Sequence, residues 1–346
     1  MGTLYLKISF FFIIFSFTLH LPALDPSRKI HQYIQRSWQT IDGLPQNSAH
    51  ALAQTDDGYM WIATQEGLAR FDGVSFKIFN RTDDPQLGSN DIRALFKASD
   101  GSLWIGTYGG GAAKYSKGAF QLFNKENGLS DNLIKTVYVD GSGCAWLGTY
   151  KNGISIICGG KITKLTSSDG LPDDSIRAIT GEKDVIWAGT TKGLAKISKG
   201  RVIKVYRTAD GLKNDNISSI FIDGSSVIWT GTKGGFVHSI TGNRIESFSV
   251  AVAGPADFVN VIFKDRDQNL WIGTDSGLHR KNYNDLETFT TADGLTYNSV
   301  RSIFEDSEGS LWVGTSGGGI NIFSEGAVKT ISYRDGLTST DVLPVL

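Results

Sequence analysis

Between residues 91 and 124 the polar and apolar positions fall into four short runs. DIRALFKA alternates, SLWIGT is apolar and rich in strand formers, AAKYS follows a Gly turn, and AFQLFN closes the unit. Alternation with a period of two and short apolar runs both read as strands. The intervening SDG, YGGG and SKG read as turns. Gly supplies the positive φ that tight hairpins require. No helical periodicity competes with this reading.

The unit recurs. Trp61, Trp104, Trp146, Trp187, Trp229, Trp271 and Trp312 are separated by 43, 42, 41, 42, 42 and 41 residues. Each is followed three residues later by Thr (Thr64, Thr107, Thr149, Thr190, Thr232, Thr274, Thr315), with Gly in between in six copies and Ala63 in the first. A second mark, DGLP at 42–45, NGLS at 127–130, DGLP at 169–172, DGLK at 210–213, DGLT at 293–296 and DGLT at 335–338, keeps the same period, with degenerate forms at 82–90 and 251–257. Four strands per unit at this period predict an all-β, seven-bladed β-propeller with four-stranded antiparallel blades. One twisted sheet cannot bury both faces alone, whereas stacked blades bury them against each other. The seven Trp are therefore expected in the core between blades. The Gly two residues on is expected to leave room for the aromatic ring of the neighbouring blade, and the β-branched Thr to suit a strand end.

HQYIQRSWQTIDGL at 31–44 reads as a fourth strand with no blade before it, and AVKTISYRDGL near the other end reads as another. A ring can close with either one outermost. The propeller is thus expected over 31–334, and 335–346 as the start of a further repeat cut short. That tail implies the front part of a longer design, or a reduced relative of one. The first 23 residues differ from the rest: one Lys, an apolar run from Ile8 to Leu19, then Pro22-Ala23. The run is short for a membrane span. It fits an export signal cleaved after Ala23. Leu21 is larger than usual for its place before the cut, so an uncleaved anchor is the alternative.

DGLPQNSAHALAQTDDGYMWIATQEGLARFDGVSFKIF resembles the two-component regulator propeller repeat, and the resemblance runs over about residues 31–340. It implies seven-bladed propellers, often two in tandem, acting as extracytoplasmic ligand-sensing regions of bacterial signalling proteins. A linker domain, a membrane helix and a histidine kinase or diguanylate cyclase usually follow. None of these motifs occurs within the 346 residues, so the expected output partner is a separate protein or a C-terminal domain outside this sequence.

Charge and composition narrow the function. A formal charge of −1 gives no global field toward nucleic acid or an anionic membrane. His20, His31, His50, His238 and His279 lack ligand spacing, which gives no support to a metal site. No G-x-S-x-G is present and no cofactor motif was found. Carboxylates are plentiful in turns, for example Asp56, Asp57, Asp265 and Asp267, where a glycosidase pair could sit, but Asp in a turn is the common explanation. NRT at 80–82 and NIS at 216–218 match the glycosylation pattern by accident in a bacterial protein. Cys144 and Cys158 would face each other as a disulfide if Thr149 pairs with Gly153, and would lie on opposite faces after a one-residue slip.

One column stands out as a candidate ligand site. Counted by repeat it reads His50, Arg93, Lys135, Arg177, Ser218, Asn260 and Arg301, each just inside a DGL loop on the innermost strand. Cations converging on an axis would attract an anion, and Arg can hold a carboxylate or phosphate bidentately. Tyr108 and Tyr150, in the turns after the second strands, could stack on a sugar. The expectation is a non-catalytic, exported sensor of a two-component or cyclic-di-GMP system that binds an anionic small molecule, such as an acidic oligosaccharide. The competing reading pairs the basic residues with Asn47, Asn90, Asn132 and Asp174 three places earlier. It also notes that each basic residue shares its strand face with Leu52, Leu95, Val137, Ile179 or Ile303. A periplasmic protein-binding scaffold and a carbohydrate-active enzyme are the alternative functions.

Overall fold

In a computed structural model that describes residues 24–251, 254, 257–282 and 285–326, every W-x-[GA]-T run is the second strand of a four-stranded antiparallel sheet. Blade 2 is representative: Ile92–Lys97, Leu103–Thr107, Ala112–Ser116 and Ala119–Phe123 pair in sequence order. Seven such sheets are present. Their first strands pack side by side around a common axis, and Ala51–Gln54 of blade 1 meets Val300–Glu305 of blade 7 to close the ring.

Closure uses the N-terminal strand. Ile34–Trp38 pairs antiparallel with Ile320–Ser324, from Ile34 opposite Ser324 to Trp38 opposite Ile320. The outermost strand of blade 7 thus comes from the start of the chain, and the ring is fastened by pairing its two ends. AVKTISYRDGL, the 335–346 tail and the 1–23 segment lie outside the described residues.

Six of the seven Trp are buried and Trp229 is half-buried. Four indole N–H groups donate to an Asp six residues earlier: Trp146 to Asp140, Trp229 to Asp223, Trp271 to Asp265 and Trp312 to Asp306. The same carboxylates accept turn amides, as Asp306 does from Glu308 and Ser310. One Asp therefore closes a hairpin and holds a Trp. This accounts for Asp265 as a structural carboxylate, while Asp56 pairs with Lys97 and Asp57 accepts from Thr55.

Two packing expectations need correction. The Gly after each Trp does not make room for an aromatic ring. A Cβ on Gly106 would lie 2.8 Å from Ile134 Cγ2, and one on Gly189 would lie 2.7 Å from Ile217 Cγ2. In blades 2 to 6 the neighbour is the branched aliphatic residue that opens the next blade, and in blade 7 it is Ala49 of blade 1. The Thr does more than end a strand: Thr107 Oγ1 donates to Gly111 O and accepts from Gly110 N, and Thr149 Oγ1 does the same with Gly153 O and Asn152 N. It ties the turn back onto the strand. In blade 3 the pairing of Ala145 with Ile157 sets Cys144 opposite Cys158, and the two form a disulfide with a Cα separation of 4.4 Å.

Candidate functional site

The innermost strands are not regular. In blades 2 to 7 the ladder slips by one residue between Ile92 and Ala94, Ile134 and Thr136, Ile176 and Ala178, Ile217 and Ser219, Val259 and Val261, and Val300 and Ser302. The residue skipped in each case is Arg93, Lys135, Arg177, Ser218, Asn260 or Arg301. A β-bulge leaves its extra residue out of the ladder and re-aims it. Here that residue is delivered to the axis, where the six line a cavity of about 440 Å³ together with His50.

The bulge overturns the argument that these residues share a face with the aliphatic residue two places on. Alternation restarts after the bulge, so Ile134 and Val137, three apart, point the same way. Both approach the Cβ position of Gly106 in blade 2. Ile217 and Ile220 repeat this against Gly189. The buried Leu52, Val137, Ile179 and Ile303 serve the blade interface, and the cations are released from it.

Among the described residues the basic column makes no hydrogen bond or ion pair with Asn47, Asn90, Asn132 or Asp174, whose side chains are used elsewhere. Their side-chain oxygens accept the backbone N–H of Thr40, Arg81, Lys125 and Ser167 at 2.6–2.8 Å, which fixes the first residue of a 3-10 turn in three repeats and the turn at 81–83 in the other. In the DGL loops themselves the Gly takes a positive φ, 101° at Gly43 and 117° at Gly294, and the following Leu is buried. These loops form a rigid rim.

The axial ring is electrically uneven. Arg93 is neutralised by Asp91, with Nε 2.6 Å from Oδ1 and NH2 2.7 Å from Oδ2, and its NH1 lies 3.1 Å from His50 Nε2. Burial, then the positive charges of Arg93, Lys135 and Arg301, lower the His50 pKa to about 3, so this ring member is neutral and serves as an acceptor. Arg301 lies 3.4 Å from Asp275 and donates to Asn260. Ser218 and Asn260 are uncharged and donate to the carbonyls of Val259 and Val300. Lys135 and Arg177 differ. Among the described residues neither has an acidic partner, and the buried Nε of Arg177 has no hydrogen bond. Burial, then Arg177, Arg301 and Arg93, lower the Lys135 pKa to about 8.

A second tier stands above the ring. Tyr108 and Tyr150 meet edge to face with centroids 5.3 Å apart, Arg93 lies 5.4 Å from the Tyr108 centroid, and Lys135 lies 5.9 Å from that of Tyr150. Gln65, Asp275 and Ser316 line the same cavity, with Phe258 beside them. Except for Phe258, all of these occupy one repeat position, directly after the Thr of W-x-[GA]-T. Sequence reasoning found the tyrosines and missed the column. Its signal is a position that varies in chemistry beside one that never does. Among the described residues no group of three or more His, Cys, Asp or Glu is placed to hold a metal.

Four segments, residues 43–66, 86–109, 253–276 and 294–317, match the model of the two component regulator propeller. Over 67 residues the chain is 36% identical to Histidine kinase P4 of Formosa agariphila, covering 19% of this chain and 5% of that protein. The fold is similar to the extracellular domain of the hybrid two component system BT3049 from B. thetaiotaomicron, with TM-score 0.74, 24% identity, and coverage of 85% of this chain and 42% of that one. It is also similar to virginiamycin B lyase from Staphylococcus aureus, with TM-score 0.68, 15% identity, and coverage of 84% and 99%. The chain spans less than half the length of the sensor chain it matches, and at these identities the structural likenesses establish the fold.

Proposed function

We propose that this chain, in which four segments match the two component regulator propeller, is the extracytoplasmic ligand-sensing propeller of a bacterial signalling system and binds an anionic small molecule over its axis. The observation that carries the reading is the pair of uncompensated cations, Lys135 and Arg177, on adjacent bulges of one cavity. Like charges held together without a counter-ion raise the free energy of the empty site, and an anion relieves it. Arg177 supplies a planar fork for a carboxylate or phosphate, Lys135 a compact charge, and Tyr150 with Tyr108 an aromatic wall for the rest of the ligand. An acidic sugar satisfies all three. Export places the loop face outside the cytoplasm. A closed propeller is rigid, so binding is read out in how it packs on a neighbouring domain or partner.

The test is thermal stabilisation at constant ionic strength, with galacturonate, citrate and phosphate as anionic probes and galactose as the neutral control. A ligand that prefers the native state raises Tm. The expected result is a rise with an anion that disappears in both Lys135→Met and Arg177→Met. A rise that survives both variants, or no rise with any anion, overturns the site. A second reading, a protein-binding scaffold, draws on Ile41 and Tyr297, exposed by 90% and 48% on the loop rim. A partner crosslinked through that rim, with no anion effect, would favour it.

A further inference from the structure

We infer that Asp267 and Asn269 form a built receptor for the α-ammonium of the chain after cleavage between Ala23 and Leu24. This rests on the export reading above. Leu24 is fully buried, in a cluster with Ile30, Tyr33 and Trp271. Its backbone nitrogen lies 2.8 Å from Asp267 Oδ2, and its carbonyl accepts from Asn269 Nδ2 at 3.2 Å. Asn269 is 1% exposed, yet among the described residues its Oδ1 has no hydrogen-bond partner. A buried acceptor left unpaired is costly. A peptide amide at Leu24 offers one N–H, which Asp267 takes. An ammonium offers three, so Asp267 gains a full positive charge, and on this inference one of the added N–H groups supplies the donor that Asn269 Oδ1 lacks.

The segment behind Leu24 is held as a fixed strap. Tyr33 Oη donates to Asp25 O, Asn282 donates to Pro26 O, and buried Arg280 donates to Arg28 O and pairs with Glu287. Arg28 reaches the end of the last described strand, 2.6 Å from Glu325 Oε1. The strap thus presents Leu24 at one defined place, which a loose terminus would not do. Hydrolysis breaks the Ala23–Leu24 C–N bond. Water supplies the hydroxyl to the Ala23 carboxyl group and a proton to the Leu24 nitrogen, which protonates further to the ammonium.

The experiment expresses the full chain in a bacterium with export intact. The purified product is measured by intact mass and by labelling of its α-amine with 2-pyridinecarboxaldehyde, folded and in urea. The expected product begins at Leu24 and its amine reacts at least tenfold more slowly when folded. Asp267→Asn removes that protection and lowers Tm by about 2–4 °C at pH 6. Pairing raises the ammonium pKa above the usual value of roughly 7.7–8.0, so the Tm difference is full below that pH and fades as the pH rises through the raised value. An exported product trimmed at Leu24 whose amine reacts equally fast folded and unfolded overturns the receptor and leaves export standing. A chain that is never trimmed overturns the processing step, and the anion test above still judges the sensing site. Should Asp267→Asn fail to fold, the wild-type labelling ratio decides alone.

Discussion

Gly148→Ala tests the packing logic of the whole ring with one methyl. Gly148 pairs with Thr136 in its own blade and faces the start of blade 4. Its φ is not in the left-handed region, so the substitution asks about space and not backbone conformation. A Cβ there would lie 2.6 Å from Ile176 Cγ2 and 2.6 Å from Thr136 Cγ2. Carbon contacts settle near ~3.5–4.0 Å, so the Ile176 side of the seam must retreat by about 1 Å and the Thr136 methyl must turn aside within its own blade. Overpacking of this kind costs about 1–3 kcal/mol. Removing Gly stabilises through the unfolded chain by about 0.4–1 kcal/mol, which leaves a net loss of about 1–2 kcal/mol.

The assay is the urea midpoint, with Tm beside it, for Gly148→Ala, Ile176→Ala and the double variant. Ile176→Ala alone leaves a void and also destabilises. In the double variant the new methyl occupies space the old one left, so the two losses should fall short of additive by at least about 1 kcal/mol. Blade 1 is a natural control: Ala63 occupies the equivalent position and packs in one cluster with Ile92. Strict additivity, or a Gly148→Ala chain as stable as the parent, would refute the reasoning.

Three further outcomes follow. Burial lowers His238 and His279 to about 4, and His50 falls to about 3. Folded-state values below the unfolded value of roughly 6.5 contribute stability that is complete above that pH and lost as the pH falls toward 4. The urea midpoint should therefore drop between pH 6.5 and 4, and His279→Gln should flatten the slope; a flat parent profile would contradict the burial. Asp306→Ala strips the Trp312 indole and the Glu308 and Ser310 amides of their acceptor, and should cost about 1–3 kcal/mol in urea titration, with Asp306→Asn recovering part. Reducing Cys144–Cys158, separated by 14 residues, should lower stability by up to about 3 kcal/mol, and an unchanged midpoint in dithiothreitol would show that the bridge contributes nothing to the folded state.

The propeller was legible because seven copies repeat the same packing problem. Trp, Gly and Thr recur in register since each blade must bury the same faces. The ring of axial residues was legible as a column, but its geometry was read wrongly. Strict alternation put Lys135 and Val137 on one face, and the bulge at Lys135 separates them. The sequence does carry the signal, as IKTV, IRAL, IRAI, ISSI, VNVI and VRSI place branched or aliphatic residues three apart inside a strand. A regular strand has no use for that spacing. The choice of closing strand was not legible, because HQYIQRSW and AVKTISY satisfy the same pattern. The Asp six residues before Trp was visible but masked by the abundance of Asp in turns.

Repetition also separates what packing demands from what it leaves free. At the axial position the bulge is constant from blade 2 to blade 7 while the side chain is not. Blades 5 and 6 place Ser218 and Asn260 there and spend their hydrogen bonds on the frame. Blades 2 and 7 place an Arg and set Asp91 or Asp275 against it. Blades 3 and 4 place Lys135 and Arg177 with no such acid among the described residues. An anion on the axis is therefore drawn off-centre, toward the side where Tyr150 stands over Lys135. A ring with seven equal charges would hold an anion in any of seven orientations. On the proposed reading this one would favour a single orientation, and a ligand held so would present one surface to a partner on the rim. Moving the asymmetry tests the point. Asp91→Asn frees Arg93 and should spread the anion's contacts toward Tyr108, whereas a site defined by overall charge alone would only bind more tightly.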